Sequence, residues 1–467
     1  MNRLTKHIKY EGENNMKFKK RLAVLLVLVM IISLAVGCTA NSPTKDTSAD
    51  SNDSTNATAS ADNLTNNADS SSANTVRIGV LLPFTGGSAA VAELQWAGYE
   101  FFTEHFNKNG GFSWGAQVEF VRADSNSDPS TGVNEITRLI TEENVCCIIG
   151  PYNSSVGSAT APIAEKHEIP YLLTNCTEDS ILANNYKYVF RANSCNSADC
   201  IDVITFINDL RDNYPDSAPK RFALVYENTD WGVGSAAECA KALEENGYEV
   251  VLNEGYEANM TDASSLVNKI KSSGADVVVG ASYLADSILI TNTLAQYKVD
   301  ATLICLGGGF SMNEFIDGAG ANAEGAISLS AWATGILNFK PAEATELNEE
   351  YKAKYGSDFD EYSANGYLGA AVLINAIESA GGTDKAAIRN ALANMDLGPD
   401  APELILHPYT AVKFSTEEEP LRGMVGQNIG ASNIMVQVID GEFKMVGPMS
   451  TCGKEAVTWP VTTWANR

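Results

Sequence analysis

Histidine is nearly missing from this chain, with four in 467 residues, and no Cys-x-x-Cys or histidine pair at zinc spacing occurs. A metal centre is not expected. The phosphate loop Gly-x-x-x-x-Gly-Lys and the His-Glu-x-x-His helix are absent too, and the run Gly307-Gly308-Gly309 replaces neither of them. His105 falls in an aromatic-rich helical stretch and His407 stands before Pro408, so both read as structural. Neither catalytic residues nor a bound cofactor are expected.

Basic residues are also few: 32 Lys and Arg stand against 58 Asp and Glu, a net charge of −26. Such a body repels nucleic acid and anionic lipid surfaces, which argues against both as binding partners. No apolar run is long enough for a comfortable membrane span. The candidate at residues 22–36 is broken by Ser33 and preceded by Lys17, Lys19, Lys20 and Arg21. Basic start, apolar middle and small-residue exit predict a secretory signal over residues 1–37, with Met16 as an alternative start.

The exit Leu34-Ala35-Val36-Gly37-Cys38 resembles the bacterial lipoprotein box, although Ala35 stands where leucine is commonest. The resemblance implies that Cys38 is lipidated and becomes the mature N-terminus, anchoring the protein on the extracytoplasmic face of the cell membrane, where two or more acyl chains give lasting attachment. Loss of residues 1–37 removes seven basic and two acidic residues and leaves a net charge of −31. Residues 38–74 are almost entirely Ser, Thr, Asn, Asp and Ala with no apolar face, and predict a disordered tether.

The nine cysteines suggest no clear disulfide framework. Cys146, Cys147 and Cys305 lie in apolar runs and read as small core residues, while Cys195 and Cys200 are near enough in sequence for a local bridge.

What the chain has in quantity is alternation of strand and helix, from residue 75 to about residue 330. This is the pattern of parallel βαβ units, and the strand count is too high for one comfortable open sheet, so two are expected. The stretch 145–177 organises the rest. Residues 145–149 are wholly apolar, as in a strand buried on both faces, and end at Gly150-Pro151. The polar loop that follows, with Asn153, Ser154 and Ser155, opens a helix whose start favours an anion such as a carboxylate. A second strand ends in Asn175-Cys176-Thr177. Ligands bind outside the carboxyl ends of strands in open parallel sheets, so these two loops form a candidate site; ordinary helix capping is the alternative reading. Irregular text interrupts the pattern near residues 193–198 and 331–341. After Gly398-Pro399 the chain turns to extended segments at 404–406, 411–414 and 433–439, with a hairpin turn at Asp440-Gly441.

On the residues Ile78-Gly79-Val80-Leu81-Leu82-Pro83-Phe84-Thr85-Gly86, Ala97-Gly98, Asn107-Lys108-Asn109-Gly110-Gly111, Ile149-Gly150, Ile169-Pro170 with Thr177, Asp230-Trp231-Gly232, Gly274-Ala275-Asp276, Tyr362 and Gly366-Tyr367, the chain resembles the leucine/isoleucine/valine-binding type of periplasmic solute-binding protein, which feeds ABC importers. The resemblance spans about residues 75–448. It implies an α/β type I periplasmic-binding fold of two doubly wound Rossmann-like lobes joined by three hinge crossings. Lobe 1 would hold residues 75–195 and 331–398, lobe 2 residues 196–330 and 399–450, with 451–467 as a C-terminal tail. A monomer would capture a small polar ligand, an amino acid of the branched-chain or a related kind, and hand it to membrane permease subunits. The alternative is a sensor subunit for amides, short peptides or aromatic acids that signals through a membrane partner.

The same resemblance assigns site residues. Ser154, with Asn153 or Ser155 beside it, would hold an α-carboxylate. Cys176 and Thr177 would bind carboxylate and ammonium, Phe84 would shape the side-chain pocket, and Trp231 and Tyr283 would close over the ligand. The family's acidic contact to the ammonium has no counterpart in Gly307-Gly308-Gly309-Phe310. Asp230 is expected to replace it, since Asp-aromatic-Gly here resembles the amino-acid receptors of the metabotropic glutamate class. Asp286 is a second candidate.

Overall fold

Strand β1 (Thr75–Leu82) shows why the chain layers as it does. Its Ile78 and Val80 enter one apolar cluster while Leu81 enters another on the opposite face, all fully buried. The computed structural model describes residues 75–466; the expected signal segment, the lipidation site at Cys38 and the tether lie outside the described residues.

β1 pairs in parallel with β2 (Gln117–Asp124) on one side and β3 (Cys147–Ile149) on the other. β4 (Tyr171–Leu173) and β5 (Val189–Arg191) extend the sheet in the order β2-β1-β3-β4-β5. Helices follow the strands: α1 (Ala89–Lys108), α2 (Pro129–Thr141), α3 (Ser154–Lys166) and the short α4 (Asp179–Leu182). In β3, Cys147 and Ile149 face one cluster and Ile148 the other. A short apolar run therefore suffices where helices cover both sides, each fully buried aliphatic side chain contributing about 1.5–3 kcal/mol.

The chain crosses after Arg191 and repeats the design. Helix α5 (Asn196–Asn213) lies against β6 (Arg221–Glu227), which pairs with β7 (Glu249–Tyr256) and β8 (Val277–Ala281). β9 (Thr302–Cys305) and β10 (Ile327–Ser330) follow in parallel, so β7-β6-β8-β9-β10 copies the winding of the first sheet. Between the strands run α6 (Asp230–Glu245), α7 (Ser264–Ser273), α8 (Leu284–Gln296) and α9 (Asn313–Ala319).

A second crossing returns the chain to the first sheet with α10 (Ala342–Tyr355), α11 (Glu361–Ala380) and α12 (Lys385–Ala393). α11 and α1 meet backbone to backbone: a Cβ on Gly98 would stand 2.0 Å from Ser363 O, and one on Gly366 2.3 Å from Gln95 O. The third crossing leads to β13 (Ile434–Ile439) and β14 (Glu442–Gly447), an antiparallel hairpin added beside β10, after the small ladder β11 (Asp396–Leu397) and β12 (Val412–Lys413). Asp440 and Gly441 form its turn with positive φ.

One expected boundary shifts. Residues 399–428 were expected with the second sheet, but Leu404, Tyr409, Val412 and Phe414 are buried in the core of the first. Arg191, fully buried at the end of β5, bridges to Gln427, whose Oε1 accepts from its guanidinium at 2.9 Å. Apolar burial and this pairing keep the segment on the first sheet until about residue 431. Residues 402–404 form a turn of tight helix rather than a strand. Cys195 and Cys200 are free and buried, with no bridge between them. In the tail, Trp459 Nε1 donates to Ser217 O and Trp464 is buried in the second sheet's core. No described helix is long and apolar enough to cross a membrane.

Candidate functional site

Both sheets point the carboxyl ends of their strands at one cavity. Tyr152 and Ser154 follow β3, Asn175 and Thr177 follow β4, and Asn193 and Ser194 follow β5. From the second sheet come Trp231 after β6, Tyr283 after β8, Gly308 after β9 and Ala331 after β10. This is where doubly wound sheets place ligands. The volume is about 50 Å³, room for only a few waters, so a larger guest requires the walls to part.

The first-sheet wall is built around the start of α3. Asn153 sits at the helix cap position but makes no cap bond; its Nδ2 donates instead to Ser88 Oγ. Ser154 opens the helix, and its Oγ accepts from Glu178 N at 3.3 Å. The first N–H groups of a 13-residue helix thus begin at the cavity wall, a favourable place for an anion. Thr177 Oγ1 donates to Asn196 Oδ1 at 2.7 Å, which leaves its lone pairs to accept. Asn175 is set by a relay: His407 Nε2 donates to Asn365 Oδ1, and Asn365 Nδ2 donates to Asn175 Oδ1. Burial pushes the His407 imidazole down to about 3, so it stays neutral in this relay.

Aromatic rings close the other side. Trp231 stacks on Tyr283 with centroids 5.1 Å apart, Tyr283 lies 5.4 Å from Tyr152, and Tyr152 meets Tyr362 edge-on at 5.6 Å. Tyr362 Oη donates to Gly308 O at 2.8 Å, tying the first-sheet helix α11 to the second sheet. Gly308 also explains the uncharged loop. Its φ is +62°, and a Cβ there would stand 2.5 Å from Trp231 Cη2, so an acidic side chain at that position would displace the indole.

Two carboxyl groups face the cavity, and no Lys, Arg or His is among its lining residues. Asp199, in the first turn of α5, accepts from Asn433 Nδ2 at 2.8 Å. Burial pushes it up to about 8, against the lowering bonds from Ser194 and Asn433 and with added repulsion from Asp202 and Asp179. Glu361 opens α11, and its Oε2 accepts from Ser311 Oγ at 2.6 Å and Ser330 Oγ at 3.3 Å. Burial pushes it up to about 7 despite those bonds.

Of the residues singled out in the sequence, Ser154, Thr177, Trp231 and Tyr283 meet at the cavity. The others do not line it. Phe84 is half-buried, edge-on to Trp96 and under the Arg122 guanidinium. Cys176 points into the first-sheet core beside Gly157, its thiol pushed up to about 12 by burial. Asn153 is turned to Ser88, and Ser155 is half-buried outside the lining. Asp230 is exposed as the first residue of α6. Asp286 is buried but committed, accepting from Asn259 N and Met260 N and pairing with Glu227. Sequence reading missed Asp199, Glu361, Asn365, Asn193, Tyr409 and Asn433. The polar break at 193–198 and the acid opening the helix at 361 were the available signals.

A wider hollow of about 860 Å³ opens behind, between Phe206, Ile336, Pro402 and Met435, and shares Tyr409 and Asn433 with the cavity. Its walls are mainly apolar and it lies away from the strand tips of the first sheet, so the smaller cavity is the candidate site.

Residues 75–419 match the family model described as periplasmic binding protein. A Leu/Ile/Val-binding protein homolog 7 of Brucella abortus is 32% identical over 332 residues, covering 69% of this chain and 82% of that protein. Among solved structures, the leucine-binding protein LivK of Thermotoga maritima superposes with a TM-score of 0.68 at 23% identity, covering 80% of this chain and 98% of that one. LivJ of Streptococcus pneumoniae, in complex with isoleucine, does so with 0.67 at 22%, covering 80% of this chain and all of that one.

Proposed function

The chain belongs to the periplasmic binding protein family, of the leucine/isoleucine/valine-binding type, and from that premise we propose that it captures an amino acid between its two sheets and delivers it to an ABC importer. One observation carries this reading: a single cavity is lined by a helix start with Ser154, by Thr177, and by two carboxyl groups, the buried Asp199 and the half-buried Glu361. The ligand's α-carboxylate would accept from the α3 N–H groups and Ser154, and its ammonium would meet the carboxyls, which gain strength in a water-poor cleft. The aromatic rings would cover it.

The two sheets with their helices act as lobes, hinged near residues 192–195, 331–341 and 429–433. Closure is a population shift, limited by how much better the ligand binds the closed form. The lipidated Cys38 and the polar tether would hold the lobes near the permease. Aromatic acids, the alternative ligands, suit the cavity less, because they bring no amine to meet Asp199 and Glu361.

A melting-temperature screen of the purified protein against the amino acids tests this. At a hundred dissociation constants of ligand, stabilisation is about 2.7 kcal/mol, a clear upward shift. Stabilisation by benzoate and by no amino acid would overturn the amino-acid assignment.

A further inference from the structure

Resting on the solute-binding reading above, we infer that this cavity takes a ligand of net positive charge, a diamino acid or diamine with more ammonium groups than carboxylates, rather than a neutral branched-chain amino acid. The ionisable groups of the cavity are all of one sign. Asp199 and Glu361 both line the cavity and no basic residue does. The groups around Asp199 are Asn433, Ser194 and two further acids, Asp202 and Asp179; those around Glu361 are Ser311, Ser330 and Asp360. Arg191, buried at the nearby strand end, is spent on Gln427 and the Glu178 carbonyl. Without a cation beside them the two carboxyls favour their protonated form; an ammonium draws the one it meets into the charged form, so a zwitterion with one ammonium can answer only one of them. Two cationic groups answer both.

A second observation points the same way. Asn193 Oδ1 and Tyr409 Oη face the cavity with no hydrogen-bond partner, in residues 5% and 1% exposed. A side-chain carbonyl oxygen can only accept, so Asn193 asks for a further donor, and an ammonium supplies three. The aliphatic part of the lining is confined to Leu306, Leu329 and Ala331, beside the aromatic rings and a larger set of asparagines, hydroxyls and acids. Size does not decide between the classes, since the walls must part for leucine as for lysine. The acidic surface adds to the selection by concentrating cations at the cleft.

The test is calorimetric titration of the full processed protein at pH 7.5 with L-lysine, L-ornithine and putrescine, and with L-leucine and L-isoleucine as comparators. At least one of the cationic compounds should bind tenfold or more tightly than leucine. In Glu361→Gln and, separately, Asp199→Asn, that preference should shrink about tenfold; either variant serves if the other fails to fold. Tighter binding of leucine or isoleucine than of every cationic compound overturns the charge inference and leaves solute binding standing. No binding by any of the five overturns the charge inference, and the solute-binding reading falls with it only if the melting-temperature screen of the amino acids is silent as well.

Discussion

Ser311 Oγ donates to Glu361 Oε2 at 2.6 Å across the gap between the two sheets. Ser311 stands in the loop after β9 and Glu361 opens α11, so the bond exists only while the sheets are close. A typical hydrogen bond contributes about 0.5–1.5 kcal/mol, and more once the carboxyl is ionised. Ser311→Ala should therefore weaken ligand binding about tenfold by favouring the open form, and leave the urea midpoint of the ligand-free protein nearly unchanged. Titration and urea denaturation of the same preparation check both halves.

The cavity acids predict a pH dependence. Asp199 is held protonated up to about 8 and Glu361 up to about 7, whereas unfolded carboxyls release their protons near 4. Between those limits the folded state binds more protons than the unfolded, so stability falls as pH rises from about 4 to about 8. His407, pushed down to about 3 by burial, acts in the opposite sense, but only below about 6.5, where the unfolded imidazole charges. From pH 6.5 to pH 8.5 the melting temperature of the ligand-free protein should drop, and Asp199→Asn should flatten that drop. Glu227, pushed up to about 8 by burial, leaves a residual slope. Thermal melts of both proteins across this range decide it.

Gly98→Ala should destabilise the protein by about 2–3 kcal/mol, because the new methyl would stand 2.0 Å from the Ser363 carbonyl, in backbone that cannot yield. Gly382→Ala is the control: its Cβ meets nothing within 4 Å and its backbone is not left-handed. The urea midpoint should fall for the first and hold or rise for the second.

Asp230→Asn should leave ligand affinity within about twofold, contrary to the expectation from the Asp-Trp-Gly resemblance. Asp230 is exposed and outside the cavity lining. Its loss removes a favourable charge from the start of α6, worth about 0.3–1 kcal/mol, so a small drop in melting temperature with unchanged titration is expected.

Much of the frame was legible because local patterns record it. The buried strand 147–149, the helix start at Ser154 and the glycines at 98 and 366 all leave marks in the sequence, and packing gives those glycines their reason. The site was half legible. Ser154, Thr177, Trp231 and Tyr283 lie in loops directly after strands, where topology itself points to the cleft. Asp199 and Glu361 sit in the first turns of helices, where an acid is ordinary stabilisation of the helix end, so nothing local distinguishes them. Cys176 neighbours Thr177 but faces the opposite way, into the core. The placement of residues 399–428 depended on which of two cores would bury Val412 and Phe414, and short extended segments carry no such address.

The knuckle at Gly98 and Gly366 gives Glu361 a stiff mounting. The carboxyl that reaches toward the second half hangs from a helix clamped, carbonyl against Cα, to another 20-residue helix of the first. Force applied there by a guest is borne by a girder instead of a pliant loop. Grip at one atom can thus swing an entire half of the molecule, and the bending is left to the short connecting segments.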